Sequence, residues 1–123
     1  MKELTIDLGA RSYPIRIDHE VAAAFPDAFA RQFGRRRCAL VTNTTLAELY
    51  QDQLAAWRQR MGCVTVTVDD GEQYKTVTTW GQVLDALLRE RLDRQSVIVA
   101  FGGGVVGDIT GFAASALLRG VDF

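Results

Sequence analysis

Apolar and polar residues alternate near the start of the chain in two short runs, Leu4-Thr5-Ile6-Asp7-Leu8 and Tyr13-Pro14-Ile15-Arg16-Ile17, separated by Gly9-Ala10-Arg11-Ser12. A period of two puts alternate side chains on one face of a strand, so the pattern predicts a β-hairpin. The period then lengthens. The Val21 to Phe33 region reads as a helix, with Pro26 as a first-turn residue after a short leading turn and Gly34 as its stop. Cys38-Ala39-Leu40-Val41-Thr42 is a short apolar strand. After Asn43-Thr44-Thr45, the residues Leu46, Leu49, Tyr50, Leu54, Trp57 and Met61 recur at spacings of three and four, which predicts one long amphipathic helix with that face in the core.

Val64-Thr65-Val66-Thr67-Val68 returns to clean alternation and predicts a strand. The helix expected after it carries Val77, Trp80, Val83, Leu84, Leu87 and Leu88 on one face, and Arg89 to Gln95 is a polar connection. Val97-Ile98-Val99-Ala100-Phe101 has no polar residue and reads as a buried strand. It runs into Gly102-Gly103-Gly104 and then into a helix from about Val105 to Leu118. The hairpin followed by β-α-β-α-β-α implies an α/β fold with a mostly parallel, Rossmann-like sheet and helices on both faces. Val121-Asp122-Phe123 looks like the start of a further strand, so the chain is expected to be one domain of a longer protein.

Composition narrows the function without deciding it. The chain has 123 residues, one domain's worth, and 48% are hydrophobic, enough for an ordinary core. Fourteen basic and fifteen acidic residues leave a net charge of −1. The only basic run, Arg35-Arg36-Arg37, precedes a strand and reads as a solvated loop, so nucleic acid is not an implied partner. No apolar run reaches the length of a membrane span and Met1-Lys2-Glu3 is no signal peptide, so the expected location is the cytoplasm, with no membrane partner. Cys38 and Cys63 read as reduced, buried small residues rather than a disulfide or a metal pair. His19, the only histidine, has no Cys or carboxylate at ligand spacing and reads as a loop or capping residue.

Three strand ends carry the candidate chemistry. In open α/β sheets ligands bind beyond the carboxyl ends of the strands, so loops at those ends can share one crevice. Gly102, Gly104 and Gly107 satisfy the letter of G-x-G-x-x-G in a strand-to-helix setting, which aims backbone N–H groups and a helix N-terminus at a phosphate. The competing reading is a tight turn whose glycines only allow close packing. Two features set it apart from an ordinary dinucleotide fingerprint: the motif comes late in the chain, and the acidic residue expected about 20 positions on would fall past Phe123. In Asp69-Asp70-Gly71-Glu72-Gln73-Tyr74-Lys75-Thr76, Glu72 can accept from both hydroxyls of a ribose and Lys75 can offer a cation to a phosphate. Equally, Asp70-Gly71 can be a plain turn and Glu72 a favourable charge at a helix start, and the residues alone leave both readings open. Asn43, where strand meets helix, reads either as an N-cap or as a ligand contact.

Taken together, Asp70-Gly71-Glu72-Gln73-Tyr74-Lys75, Gly102-Gly103-Gly104-Val105-Val106-Gly107-Asp108 and Gly111-Phe112-Ala113-Ala114 followed by Arg119-Gly120 resemble the 3-dehydroquinate synthase family. The resemblance covers essentially the whole chain. It implies a cytoplasmic homodimer whose amino-terminal domain, residues 1–123 here, binds NAD, and whose helical carboxyl-terminal domain carries a divalent metal, zinc or cobalt. It implies NAD contacts at Asn43, Asp70, Gly71, Glu72, Gln73, Tyr74 and Lys75, and at Gly103, Gly104, Val105, Val106, Gly107 and Asp108. Arg119 matches an arginine that binds the substrate phosphate from the neighbouring subunit.

The implied reaction, in the shikimate pathway, converts 3-deoxy-D-arabino-heptulosonate 7-phosphate into 3-dehydroquinate and phosphate. Transient oxidation of a ring hydroxyl by NAD⁺ acidifies a neighbouring C–H, phosphate leaves and the hydride returns. The metal ligands and most catalytic residues of the family lie beyond Phe123. No catalytic residue or metal ligand is therefore expected among residues 1–123, and the chain alone is expected to be inactive. The alternatives are a related sugar-phosphate cyclase, a metal-dependent polyol dehydrogenase, or a nucleotide-binding module without turnover.

Overall fold

The structure, a computed structural model, describes residues 1–123. The chain divides into two compact units, Met1–Gly34 and Arg35–Phe123. In the first, β1 (Lys2–Ile6) and β2 (Tyr13–Ile17) form the expected antiparallel hairpin, with Leu4 opposite Ile15. The Asp7 carboxylate and the Ser12 hydroxyl accept backbone hydrogen bonds within the turn. Helix α1 (Val21–Phe33) follows and stops at Gly34, whose positive φ of 65° suits glycine. The leading turn, His19-Glu20, comes before Val21, so Pro26 lies inside the continuous helix, its ring buried, rather than in the first turn. Burial of that ring and the aromatic contacts along the helix, Phe29 with Phe25 and with Phe33, outweigh the cost of a proline away from N1.

The second unit is the α/β body. Its strands β3 (Cys38–Asn43), β4 (Val64–Val68) and β5 (Val97–Ala100) form a parallel sheet in the order β4-β3-β5. The chain steps from β3 outward to β4, then back past β3 to β5. Right-handed crossovers therefore put the helices after β3 on one face and α4 (Val77–Arg89) on the other. On the α4 face, Ala39, Val41, Val66, Val68 and Ile98 meet Val83 and Leu87 of α4, and Val106, Ile109, Ala113 and Ala114 of α5 (Gly104–Ala116). On the other face Leu54 and Trp57 are buried, and the Trp57 ring meets Phe101 edge-on at 5.4 Å. The strand expected at the chain end is a single parallel bridge, Val97 with Asp122. No helix is long and apolar enough to cross a membrane.

Several expectations need correction. The long helix after Asn43 is two helices, α2 (Thr44–Leu49) and α3 (Gln51–Met61), with Tyr50 non-helical between them at φ −115°. Tyr50 still donates to the Leu46 carbonyl and accepts from the Leu54 N–H, so the ladder survives the bend, and its ring packs edge-on to Phe101 at 5.5 Å. The bend turns Leu49 out to solvent, and Val77 and Leu88 of α4 are likewise exposed. The arginine run is not merely solvated: Arg37 donates to the carbonyls of Arg91 and Glu90 at 2.6 and 2.8 Å, and Arg36 pairs with Asp122 at 2.8 Å. The Arg37 bonds tie the chain before β3 to the connection before β5, and the Arg36 pair ties it to the end of the chain. The last helix ends at Ala116 rather than Leu118, because Leu117 is extended at ψ 120°; a 3₁₀ turn, Leu117–Arg119, follows, in which Leu118 and Arg119 take positive φ, 48° and 68°. Cys38 and Cys63 are free and buried, as expected.

Candidate functional site

The carboxyl ends of β4, β3 and β5 lie side by side, and their loops are cross-linked. Asn43 ends β3 and caps α2, its side-chain oxygen accepting from the Leu46 N–H at 2.8 Å. Its amide nitrogen donates to Asp70 in the loop after β4 at 3.2 Å. Capping and bridging are thus done at once by the two ends of one amide. The Thr42 hydroxyl donates to the Phe101 carbonyl at 2.7 Å, which fixes the end of β5 against β3. Lys75, last in the β4 loop, donates to Asp108 on the first turns of α5 at 2.6 Å. The two bridges connect all three strand ends.

The β4 loop is ordered by its own backbone. Glu72–Tyr74 form a single 3₁₀ turn, with Tyr74 N–H donating to Gly71 and Lys75 N–H to Glu72, both at 3.0 Å. Gly71 has φ 133°, and a Cβ there would sit 2.3 Å from the Gln73 side-chain oxygen. The turn reading is therefore correct for Gly71, which only glycine fits. It also leaves Asp70, Glu72, Gln73, Tyr74 and Lys75 exposed. The helix-start reading of Glu72 is displaced, because α4 starts at Val77 and is capped by the Thr76 hydroxyl, which accepts from Thr79 N–H at 3.2 Å. The Lys75 ammonium is held above its ordinary range by the hydrogen bond and charge of Asp108, with Glu72 adding a smaller effect.

The glycine loop splits its two readings residue by residue. At Gly102 a Cβ would lie 2.8 Å from Val106 Cβ, so that glycine serves close packing. At Gly103, Gly104 and Gly107 a Cβ would meet nothing within 4 Å, so packing does not account for them. Helix α5 begins with no side-chain cap, unlike α2 and α4. The first backbone N–H groups of α5, at Gly104, Val105 and Val106, have no intrahelical partners and start in open, glycine-lined space with the positive end of the helix dipole behind them. That arrangement suits an anionic group, and specifically a phosphate approached by backbone.

Asn43, Asp70 to Lys75 and Gly103 to Asp108 thus form one cluster. Within it Val106 is buried and supports α5 from the core side. Arg119 does not join the cluster. It lies past the far end of α5, which at 1.5 Å per residue is about 20 Å from the glycine loop. It is exposed and follows Leu118 in a left-handed stretch that costs energy for non-glycine residues. What pattern reasoning missed is an aromatic wall beside the Lys75–Asp108 pair. Trp80 of α4 and Phe112 of α5 stack at 4.9 Å and line a groove with Lys75, Thr76 and Val77. The only sequence signal was Phe112, a large apolar residue off the Ile109, Thr110 and Ala113 stripe, which the structure leaves 59% exposed.

No group of three or more His, Cys, Asp or Glu in the chain could hold a metal ion.

Comparison with known proteins places these features in context. Residues 65–123 match the family described as 3-dehydroquinate synthase N-terminal. The chain is 42% identical to 3-dehydroquinate synthase of Shewanella pealeana and 44% identical to that of Pseudomonas entomophila, over 99% and 100% of its own length. It spans about a third of those proteins, 34% and 33%. Among solved structures it is similar to the 2-epi-5-epi-valiolone synthase of Streptomyces hygroscopicus with NAD⁺ and Zn²⁺ bound, with a TM-score of 0.74 and 30% identity over 94% of this chain and 32% of that one. A 2-deoxy-scyllo-inosose synthase complexed with carbaglucose-6-phosphate, NAD⁺ and Co²⁺ shares the fold, with a TM-score of 0.82 at 21% identity, over 98% of this chain and 33% of that one.

Proposed function

We propose that the chain belongs to the 3-dehydroquinate synthase family, whose amino-terminal model it matches over residues 65–123, and that residues 1–123 are the NAD-binding domain of a two-domain 3-dehydroquinate synthase. The observation that carries the assignment is the uncapped, glycine-lined start of α5, cross-linked to the side chains of the two neighbouring strand ends. The residues present fit a dinucleotide. The N–H groups at the start of α5 would hold the pyrophosphate, and Gly103 and Gly104 keep that approach free of side chains. Glu72 would accept the hydroxyls of a ribose, which makes a 2′-phosphate repulsive and selects NAD over NADP. Lys75 would present a cation to phosphate or sugar from a position set by Asp108. NAD supplies reversible hydride acceptance when bound, and this domain supplies binding and orientation.

A divalent metal, zinc or cobalt, does not fit these residues, and in this proposal its ligands lie outside the chain. Arg119, distant from the cluster, would bind the phosphate of the sugar-acid substrate in a homodimer whose partner holds the other half of that site. Two experiments test the proposal. NAD added to the isotopically labelled chain, or to the complete enzyme where the chain alone binds weakly, should shift the amide resonances of Gly103 to Asp108 and of Asp70 to Lys75. A shift pattern confined to other residues in both proteins overturns it. The chain alone should form no dehydroquinate with NAD and zinc or cobalt, and chelator-sensitive phosphate release would reverse that expectation.

A further inference from the structure

At the opposite end of the sheet from the nucleotide cluster, the two cysteines face each other. The parallel register that pairs Ala39 with Val64 puts the preceding residues, Cys38 and Cys63, side by side at the amino ends of β3 and β4. Neighbouring strands run about 4.8 Å apart, inside the roughly 4.4 to 6.8 Å between Cα atoms that a disulfide spans, and paired positions project to the same face. Both thiols are free and buried, 2% and 6% exposed. Cys63 follows Gly62, the left-handed residue that ends α3, so it lies on the two-residue connection where α3 meets β4. The Cys38 thiol also lies 3.8 Å from the Met61 carbonyl on that same last turn.

The geometry points to a reversible disulfide between Cys38 and Cys63, formed on exposure to a hydroperoxide and closing a loop that contains all of α2 and α3. Cys63 is the attacking sulfur. Its thiol is lowered by the hydrogen bond from Cys38, opposed by burial and assisted by a backbone hydrogen bond and the Arg58 guanidinium. Cys38 is pushed up by that same hydrogen bond and by burial, so it keeps its proton. The Cys63 thiolate attacks the peroxide, an S–O bond forms as the O–O bond breaks, and the alcohol leaves with the proton that Cys63 gave up. The Cys38 sulfur then attacks Cys63, the S–S bond forms as the S–O bond breaks, and water leaves carrying the Cys38 proton. Two thiols and one hydroperoxide become one disulfide, one alcohol and one water. Access to Cys63 requires only that the last turn of α3 and Gly62 open, a local event at a helix end.

The test uses the 123-residue chain as it stands. Treatment with a small excess of hydrogen peroxide should lower the intact mass by two hydrogens and remove both titratable thiols. Tryptic digestion without reductant should join the peptides 38–58 and 61–75, and dithiothreitol should release them. In Cys38→Ser, Cys63 should instead be trapped by dimedone as the sulfenic acid, and Cys63→Ser should leave Cys38 unmodified under the same treatment. Unmodified thiols in the peroxide-treated chain, disulfide-linked dimers in place of the internal bond, or oxidation to sulfinic acid with Cys38 intact would each overturn the inference. Because the decisive readout is made on the unsubstituted protein, it does not depend on how well either variant folds.

Discussion

The loop that follows β4 folds on itself, its backbone N–H groups at Tyr74, Lys75 and Thr76 all bonded within the segment and its side chains turned outward. The loop that follows β5 does the reverse: it has no side chains over Gly102 to Gly104 and leads into a helix with no side-chain cap. One loop offers carboxylate, amide, phenol and ammonium; the other offers bare backbone. Selection among nucleotides belongs to the first kind of surface, and affinity for the part that all dinucleotides share belongs to the second. The same neighbouring strand ends can therefore divide recognition without competing for one position.

The largest effects should come from breaking the bare backbone. Gly103 has φ −82°, an ordinary value for any residue, and open space where a side chain would project. Gly103→Val should leave the melting temperature close to the parent's while lowering NAD affinity at least a hundredfold, about 2.7 kcal/mol, by calorimetry. Gly102→Ala should do the opposite. Its methyl group meets Val106 at 2.8 Å, so it should cost about 1 to 3 kcal/mol of stability in denaturant unfolding, with a smaller effect on NAD. If Gly103→Val bound NAD normally, the phosphate would have to be held elsewhere.

On the side-chain surface the expected losses are smaller. Glu72→Gln should weaken NAD binding by about 1 to 3 kcal/mol, the scale of an unmade charge-assisted hydrogen bond, and should narrow the preference over NADP. Unchanged affinity and selectivity in the variant would leave Glu72 as an exposed residue of the turn. Away from both loops, Arg119→Lys in the complete enzyme should preserve NAD binding and lower kcat/KM at least tenfold, about 1.4 kcal/mol, because lysine cannot hold two phosphate oxygens in a planar fork. Arg119 also ends the 3₁₀ turn Leu117–Arg119 that follows α5; equal kinetics with a lower melting temperature would make it a structural cation of that turn and not a phosphate ligand.

How legible this arrangement was in the sequence follows from the range of each interaction. The hairpin, the three parallel strands and the glycine loop rest on local periodicity and turn chemistry, and all were readable. The break at Tyr50 was not, because its apolar spacing fits a continuous helix and the bend is set by packing on Phe101, far along the chain. Pro26 misled for a similar reason: its position depends on burial that a local rule does not see. At Asn43 the cap was readable, but the side chain's second partner, Asp70, lies 27 positions away, beyond any local rule. The family resemblance named the residues of the cluster, yet only coordinates separated the packing glycine, Gly102, from those facing open space.

The smallest effect should come from the contact that joins the two loops. Lys75 and Asp108 are both well exposed, so their ion pair is screened by water and salt, and its loss should move stability only slightly. The sign of its pH dependence is fixed by the direction of the shift. Asp108 raises the Lys75 ammonium above its ordinary 10.5, so the pair's contribution is complete below that value and disappears as pH climbs through the folded-state value. The melting temperature of Lys75→Met should therefore differ from the parent's by a small, constant amount from about pH 6 to about pH 9. That difference should vanish in strong alkali and shrink in high salt. A difference indifferent to both would trace to the packing of the lysine stem along the Trp80 groove rather than to its charge. Since Asp108 already neutralises part of the ammonium, the same variant should weaken NAD binding less than Glu72→Gln does. A larger loss would mean that bound nucleotide draws Lys75 away from Asp108 and takes the full charge for itself.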